Sequence, residues 1–197
     1  NCFNRKMITD RDYQRKHLRA PFKYCVLYVD DNFAFKARAV NISEGGMLLD
    51  QVPHFPEPGQ SAPLLISLPQ YPLFKNFSLE RLKSFNDEIL KPKVLRLECE
   101  VIRKFGESNR LEAVFSTKVG ARFLNLNPSD KKAISAYVNV FAGNLIYLQI
   151  LLDNMNSDDE GLEKVRELSK IMGYEPDMKI SQLRKEIHHD YKSLQWL

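Results

Sequence analysis

Val94-Leu95-Arg96-Leu97-Glu98-Cys99-Glu100-Val101-Ile102-Arg103-Lys104-Phe105 sets the fold class. Its side chains sort by twos: Leu95, Leu97, Cys99, Val101 and Arg103 fall on one side, Val94, Arg96, Glu98, Glu100 and Ile102 on the other. A period of two is the mark of a strand with one face on a core and one in water. Working outward, similar short runs rich in β-branched and aromatic residues occur at Tyr24 to Val29, Phe33 to Ile42, Met47 to Leu49, Leu64 to Leu68, Leu111 to Ser116 and Val119 to Leu124. Turn formers such as Asp30-Asp31-Asn32 and Gly45-Gly46 separate them. In Phe33 to Ile42, the alternation puts Phe33, Phe35, Ala37, Ala39 and Asn41 on one face. Six or seven short antiparallel strands predict a small closed barrel, because closure removes exposed strand edges. Gln70 to Lys91, bracketed by prolines, reads as an inserted loop with one short helix.

After Asn127-Pro128-Ser129-Asp130 the period becomes helical, with Asn127 or Ser129 as N-cap. Ile134, Val138, Phe141, Leu145, Leu148, Leu152 and Met155 follow a 4-3-4-3-4-3 spacing, a heptad seam that suggests self-association through residues 134–155. Ala133 to Leu152 carries no charge over 20 positions. Ser135, Asn139, Asn144 and Gln149 are spread around it and Gly143 interrupts it, so no membrane span is expected. Further helices are predicted from Ser157-Asp158-Asp159-Glu160 to Met172-Gly173, and from Met178 to Trp196 with Ile180, Leu183, Ile187, Tyr191 and Leu194 on one side. The organisation expected is a basic N-terminal arm over 1–22, a barrel with insertion 70–91 and closing helix over 23–143, and a helical tail over 144–197. The fold class is mainly β with an α appendage.

Charge is unevenly placed. Residues 1–143 hold 22 Lys and Arg against 15 Asp and Glu, the remainder 7 against 10, so a basic part precedes an acidic tail. The first 23 residues alone are at +5, a density that fits either a solvated arm or an anionic partner. Cys2, Cys25 and Cys99 are too far apart for a Cys-x-x-Cys motif, and a reducing, cytoplasmic location is expected. No phosphate loop, Gly-x-Ser-x-Gly or His-Glu-x-x-His motif occurs, and His188 and His189 are neighbours on a helix, pointing about 100° apart. The chain is therefore read as a non-enzyme without catalytic residues, metal site or cofactor.

Two constellations remain. Arg15-Lys16-His17-Leu18-Arg19 places two arginines four apart just before the first predicted strand, and the guanidinium fork fits both phosphate and the O6/N7 edge of guanine. Asn41-Ile42-Ser43-Glu44-Gly45-Gly46 ends a strand; Asn41 and Ser43 share a side in extended chain, and Gly46 permits a tight turn or a close approach. Each has an ordinary alternative, a chance arginine pair and a plain Asn/Ser/Gly turn. Taken in order, Arg-x-x-x-Arg, a strand and then Asn-x-Ser-x-x-Gly resemble the PilZ domain, a family of bacterial receptors for cyclic di-GMP. Leu64-Leu65-Ile66-Ser67-Leu68-Pro69 is similar to the family's middle strand and Val119-Gly120-Ala121-Arg122-Phe123 to its closing strand. The resemblance covers roughly residues 11–143.

That resemblance implies a PilZ-type barrel whose two motifs bind cyclic di-GMP together. Arg15 and Arg19 would grip guanine edges and phosphates. Asn41 and Ser43 would hydrogen-bond a guanine edge or phosphate, and Gly46 would leave room for the base. Lys16 and Arg11 add charge near the phosphates as a separate inference from the basic arm. The expected output is a conformational signal to a protein effector, in motility, adhesion or a related behaviour. A ligand-independent interaction module is the alternative. A general nucleic-acid-binding barrel ranks below it, and no DNA or RNA partner is expected.

Overall fold

In the computed structural model, residues 17–30, 33–52, 57–86, 90–105, 118–155, 159–175 and 177–194 are described. Among the described residues there are seven strands: β1 (Arg19–Pro21), β2 (Cys25–Asp30), β3 (Phe33–Ser43), β4 (Gly46–Asp50), β5 (Ser61–Leu68), β6 (Lys93–Phe105) and β7 (Lys118–Leu124). Their order is β1-β3-β2-β5-β6-β7-β4, all antiparallel, and β4 returns to pair with β3. Strands β2 to β7 thus close a six-stranded barrel, and β1 is a seventh strand laid along β3. Closure leaves no long unpaired edge on the six, as the run of short strands predicted. The expected strand at Leu111 to Ser116 lies outside the described residues.

The alternation read in β6 holds as far as Val101: Leu95, Leu97, Cys99 and Val101 are buried while Val94, Arg96 and Glu98 are exposed, but the register shifts at Ile102 and turns Arg103, expected on the core side, outward. In β3 the sequence reading needs correction. Ala37 and Ala39 face the core, but the register slips between Ala39 and Asn41, leaving Val40 as an extra residue. A bulge of this kind reverses the phase of the strand beyond it. Ile42, fully buried, takes the core position, and Asn41 moves to the outer face. The carbonyl of Val40 accepts from Phe22 N at 3.0 Å, so the bulge is also where the chain leaving β1 is fastened.

A second correction concerns the arm. Strand pairing begins at Arg19, and Ala20 and Phe22 are completely buried, so the last residues of the expected arm belong to the barrel. Proline at 21 costs no ladder bond there, since a three-residue strand on the sheet's outside needs few donors.

Four helices follow the described strands or interrupt them: α1 (Leu79–Lys83) within the insertion, α2 (Pro128–Asp153), α3 (Asp159–Ile171) and α4 (Ile180–Leu194). Asn127 caps α2, its side chain accepting from Asp130 N at 2.8 Å, with Pro128 at the first helical position. The boundary expected at 143/144 falls inside α2, which is one continuous helix. Its heptad seam is buried from Ile134 to Leu152 against the chain's own barrel, insertion, α3 and α4. The reason given for self-association through 134–155 is thereby removed: the apolar stripe already has intramolecular partners. By length and composition α2 also meets the requirement for crossing a membrane, yet the same burial shows it serving as a core helix.

The insertion is built into this layer. Asn144, 1% exposed on α2, accepts from Phe74 N at 2.9 Å and donates to Pro72 O at 2.9 Å. Phe74, Phe77 and Phe85 pack edge-on with centroids 5.3 to 6.2 Å apart, and Lys83 pairs with Glu163 of α3 at 2.6 Å.

Candidate functional site

The β ladder brings the two sequence constellations together. Arg19 on β1 lies directly across from Ser43 on β3, and Pro21 across from Asn41. Opposed residues in a ladder present side chains on the same face. Ser43 in turn faces Gly46, and Gly46 faces Arg122 on β7, which faces Glu100 on β6. One row of the outer surface therefore reads Arg19, Ser43, Gly46, Arg122, Glu100. The adjacent row, moved into place by the bulges at Val40 and Ile102, reads Pro21, Asn41, Leu48, Gly120, Arg103.

Arg19 is half-buried, which fits a side chain lying along the sheet rather than free in solvent. Ser43, 6% exposed, donates its hydroxyl to Gly46 O at 3.1 Å, closing the β3–β4 hairpin from within. Gly46 has a φ of 156°, and a Cβ there would lie 2.1 Å from Ala121 O. Glycine is thus demanded by the close approach of β4 to β7, a reason within the barrel itself that stands beside the base-sized gap expected from the sequence. Arg11, Arg15 and Lys16 lie outside the described residues.

Sequence reasoning missed three neighbours. His17 leans on the hairpin: a Cβ at Gly45 would come within 2.9 Å of its Cδ2, and its Nδ1 is 3.9 Å from Glu44 Oε2. Lys131, in the first turn of α2, reaches the same Glu44 oxygen at 3.9 Å. Arg122, with 59% of its side chain exposed, pairs with Glu100. Only the Gly45-Gly46 doublet hinted at any of this; the rest depends on register.

Below Arg19 the chain is gripped by the helices. Tyr137 donates to Pro21 O at 2.8 Å, Tyr24 shares a hydrogen bond with Tyr71, and Tyr71 donates to Ile171 O at 3.3 Å. Lys23 sits 3.2 Å from the centre of the Tyr174 ring and 3.5 Å from Asp190, which also accepts from Tyr174 at 2.8 Å. Burial lowers the Lys23 pKa, with Asp190 and Glu186 opposing, and burial raises those of Tyr137 and Tyr174.

A cleft of about 380 Å³ opens between Leu68, Tyr71, Lys93, Ser129, Lys132 and Tyr137. Lys93 is already engaged there, donating to Ser129 Oγ at 3.0 Å. Among the described residues no group of three or more His, Cys, Asp or Glu is placed to hold a metal.

Barrel and site together define a small antiparallel β-barrel domain with an arginine-flanked polar face built around one hairpin. A family model for the PilZ domain matches residues 13–139. The chain belongs to the PilZ domain family. A search of curated proteins finds no match. Among solved structures, the Bacillus subtilis inhibitor of motility MotI/DgrA is 17% identical over 64% of this chain and 50% of its own, with a TM-score of 0.47. This chain thus spans about half the length of that protein. The PilZ domain of YcgR from Escherichia coli with c-di-GMP is 14% identical over 73% of this chain and all of its own, TM-score 0.41. The K. pneumonia MrkH–c-di-GMP complex is 13% identical over 72% and 54%, TM-score 0.40.

Proposed function

We propose that this chain is a receptor for cyclic di-GMP that works by binding rather than catalysis and passes the binding event to a protein effector. The observation that carries the reading is the pairing of Arg19 with Ser43, which sets the second arginine of one motif beside the serine of the other. Cyclic di-GMP presents two phosphates and two guanines. Guanidinium groups meet both, as charge on the phosphates and as a planar fork on the guanine O6/N7 edge. Arg15 and Arg19 grip these groups, Asn41 supplies amide contacts, and Arg11 and Lys16 add positive charge from the arm. Movement of His17 and Leu18, just ahead of Arg19, against the hairpin gives the conformational change, since His17 rests on Gly45.

Titration calorimetry with cyclic di-GMP tests the reading. A charge-assisted hydrogen bond contributes about 1.5–3 kcal/mol, so Arg15→Ala and Arg19→Ala are each expected to weaken binding roughly ten- to a hundredfold. Unchanged affinity in both variants overturns it. One observation favours a second reading, a ligand-independent interaction module: the Ser43 hydroxyl is buried and spent on Gly46 O. That alternative predicts no rise in melting temperature with cyclic di-GMP, GTP or cyclic AMP.

A further inference from the structure

The motif residues line only one side of the row they define. Across the hairpin, the ladder sets Arg122 of β7 opposite Gly46, and Arg103 of β6 opposite Gly120. Both arginines are exposed on the outer face. Between them and the Arg19–Asn41–Ser43 side, the positions are Gly46, Gly120 and a half-buried Leu48, so little side chain rises from the sheet there. Arg19 and Arg122 are three strand spacings apart, roughly 14 Å of backbone separation. The surface is thus a low-floored strip with guanidinium groups along both margins.

Arg122 is held by Glu100, its partner across the β6–β7 ladder. The pair is solvent-accessible, with 59% of the arginine and 23% of the glutamate side chain exposed, and an exposed ion pair of this kind is weak. An incoming phosphate or guanine edge competes readily for the arginine.

We propose that Arg122 and Arg103 form a second basic margin of the nucleotide site, with Glu100 storing Arg122 until an anionic ligand draws it over the hairpin. The proposal rests on the receptor reading above and adds the residues that take the far half of the ligand. A cyclic dinucleotide with two phosphates is suited to such a strip: one half meets Arg19 and Asn41, the other meets Arg122 and Arg103. A mononucleotide spans one margin only. The site accordingly selects for two linked guanylates.

The test is titration calorimetry with cyclic di-GMP, repeated with GMP, on the full chain and four further variants. Arg122→Ala is expected to weaken cyclic di-GMP binding about tenfold, a figure discounted from a fully buried charged contact. Arg103→Ala is expected to weaken it about fivefold, and both should change GMP binding by less than about twofold. Glu100→Gln, which frees Arg122 without altering its shape, should tighten binding about threefold. Arg96→Ala, on the same strand as Arg103 but paired across to Leu65, should leave binding unchanged. If Arg19→Ala loses binding while Arg122→Ala and Arg103→Ala match the wild type, the second margin is refuted and the receptor reading stands. If the wild type itself shows no binding, the receptor reading falls and this proposal with it. Weakening by Glu100→Gln refutes the storage role, since Glu100 then positions the arginine for the ligand.

Discussion

Strand β1 separates two regions that use the same chemistry in opposite ways. On the barrel's outer face, Arg19, Ser43, Gly46 and Arg122 form a row where side chains are sparse, with Arg122 exposed, Arg19 half-buried and Ser43 turned in to Gly46 O. Two residues later, Pro21 and Phe22 are buried and Tyr24 is half-buried, and the hydroxyls of Tyr24, Tyr71, Tyr137 and Tyr174 are all spent on internal partners. The first region is held in place by backbone register, the second by side-chain hydrogen bonds to the insertion, α2 and the turn after α3. The proposed recognition side and the anchorage thus meet at one short strand, which Tyr137 holds at Pro21 O and which is followed by Lys23 on Tyr174 and Asp190, beyond the family match.

Gly46→Ala breaks the barrel side most severely. The added Cβ meets a backbone oxygen at 2.1 Å, so β4 and β7 must part, and destabilisation of about 3 kcal/mol or more is expected, read as a fall in denaturant midpoint with loss of nucleotide binding. Asn144→Ala attacks the helical side. It leaves Phe74 N and Pro72 O buried without partners, a cost of about 2–3 kcal/mol by chemical denaturation. Affinity for cyclic di-GMP, measured below the melting transition, should stay within about twofold, because the barrel row does not depend on that contact. Equal loss of affinity in both variants would erase the distinction between the regions.

Alkaline pH separates them more finely. The Cys99 thiol in the barrel core is pushed up to about 11 by burial, while thiols of the unfolded chain ionise near 9.0. The unfolded state therefore releases its proton first, and this group's stabilisation, complete below pH 9, is lost between pH 9 and 11. The expected loss is on the order of 2 kcal/mol. Lys23 at the anchorage has the opposite sign: burial lowers its pKa, so its unfavourable charge is relieved as pH rises toward 10.5. Denaturation of wild type and Cys99→Ala from pH 8 to 11 checks this, with a steeper decline in the wild type expected and parallel curves contradicting it.

The sequence revealed what repeats locally. The period of two in β6 and the apolar faces of α2 and α4 came directly from spacing, because burial on one side imposes it. The two motifs were visible as residue types in order. Their contact was not, because a three-residue strand containing proline gives no periodic signal, and the bulge at Val40 that turns Asn41 outward has no sequence mark of its own. Arg122 and Arg103 were illegible as site residues for the same reason: only the β4–β7 and β6–β7 registers bring them to the hairpin. The α2 seam was legible, but spacing does not say whether the partner is another chain or the same one. Asn144, read as one of four polar residues spread around the helix, is the peg on which the insertion hangs.

The central claim is that cyclic di-GMP lies on the outer row of β1, β3, β4 and β7. Amide chemical-shift changes during titration with the nucleotide test it most directly. The largest shifts are expected at Arg19, Ser43, Gly46, Gly120 and Arg122. Shifts confined to the cleft at Lys93, Ser129 and Lys132, or none at saturating nucleotide, would contradict it.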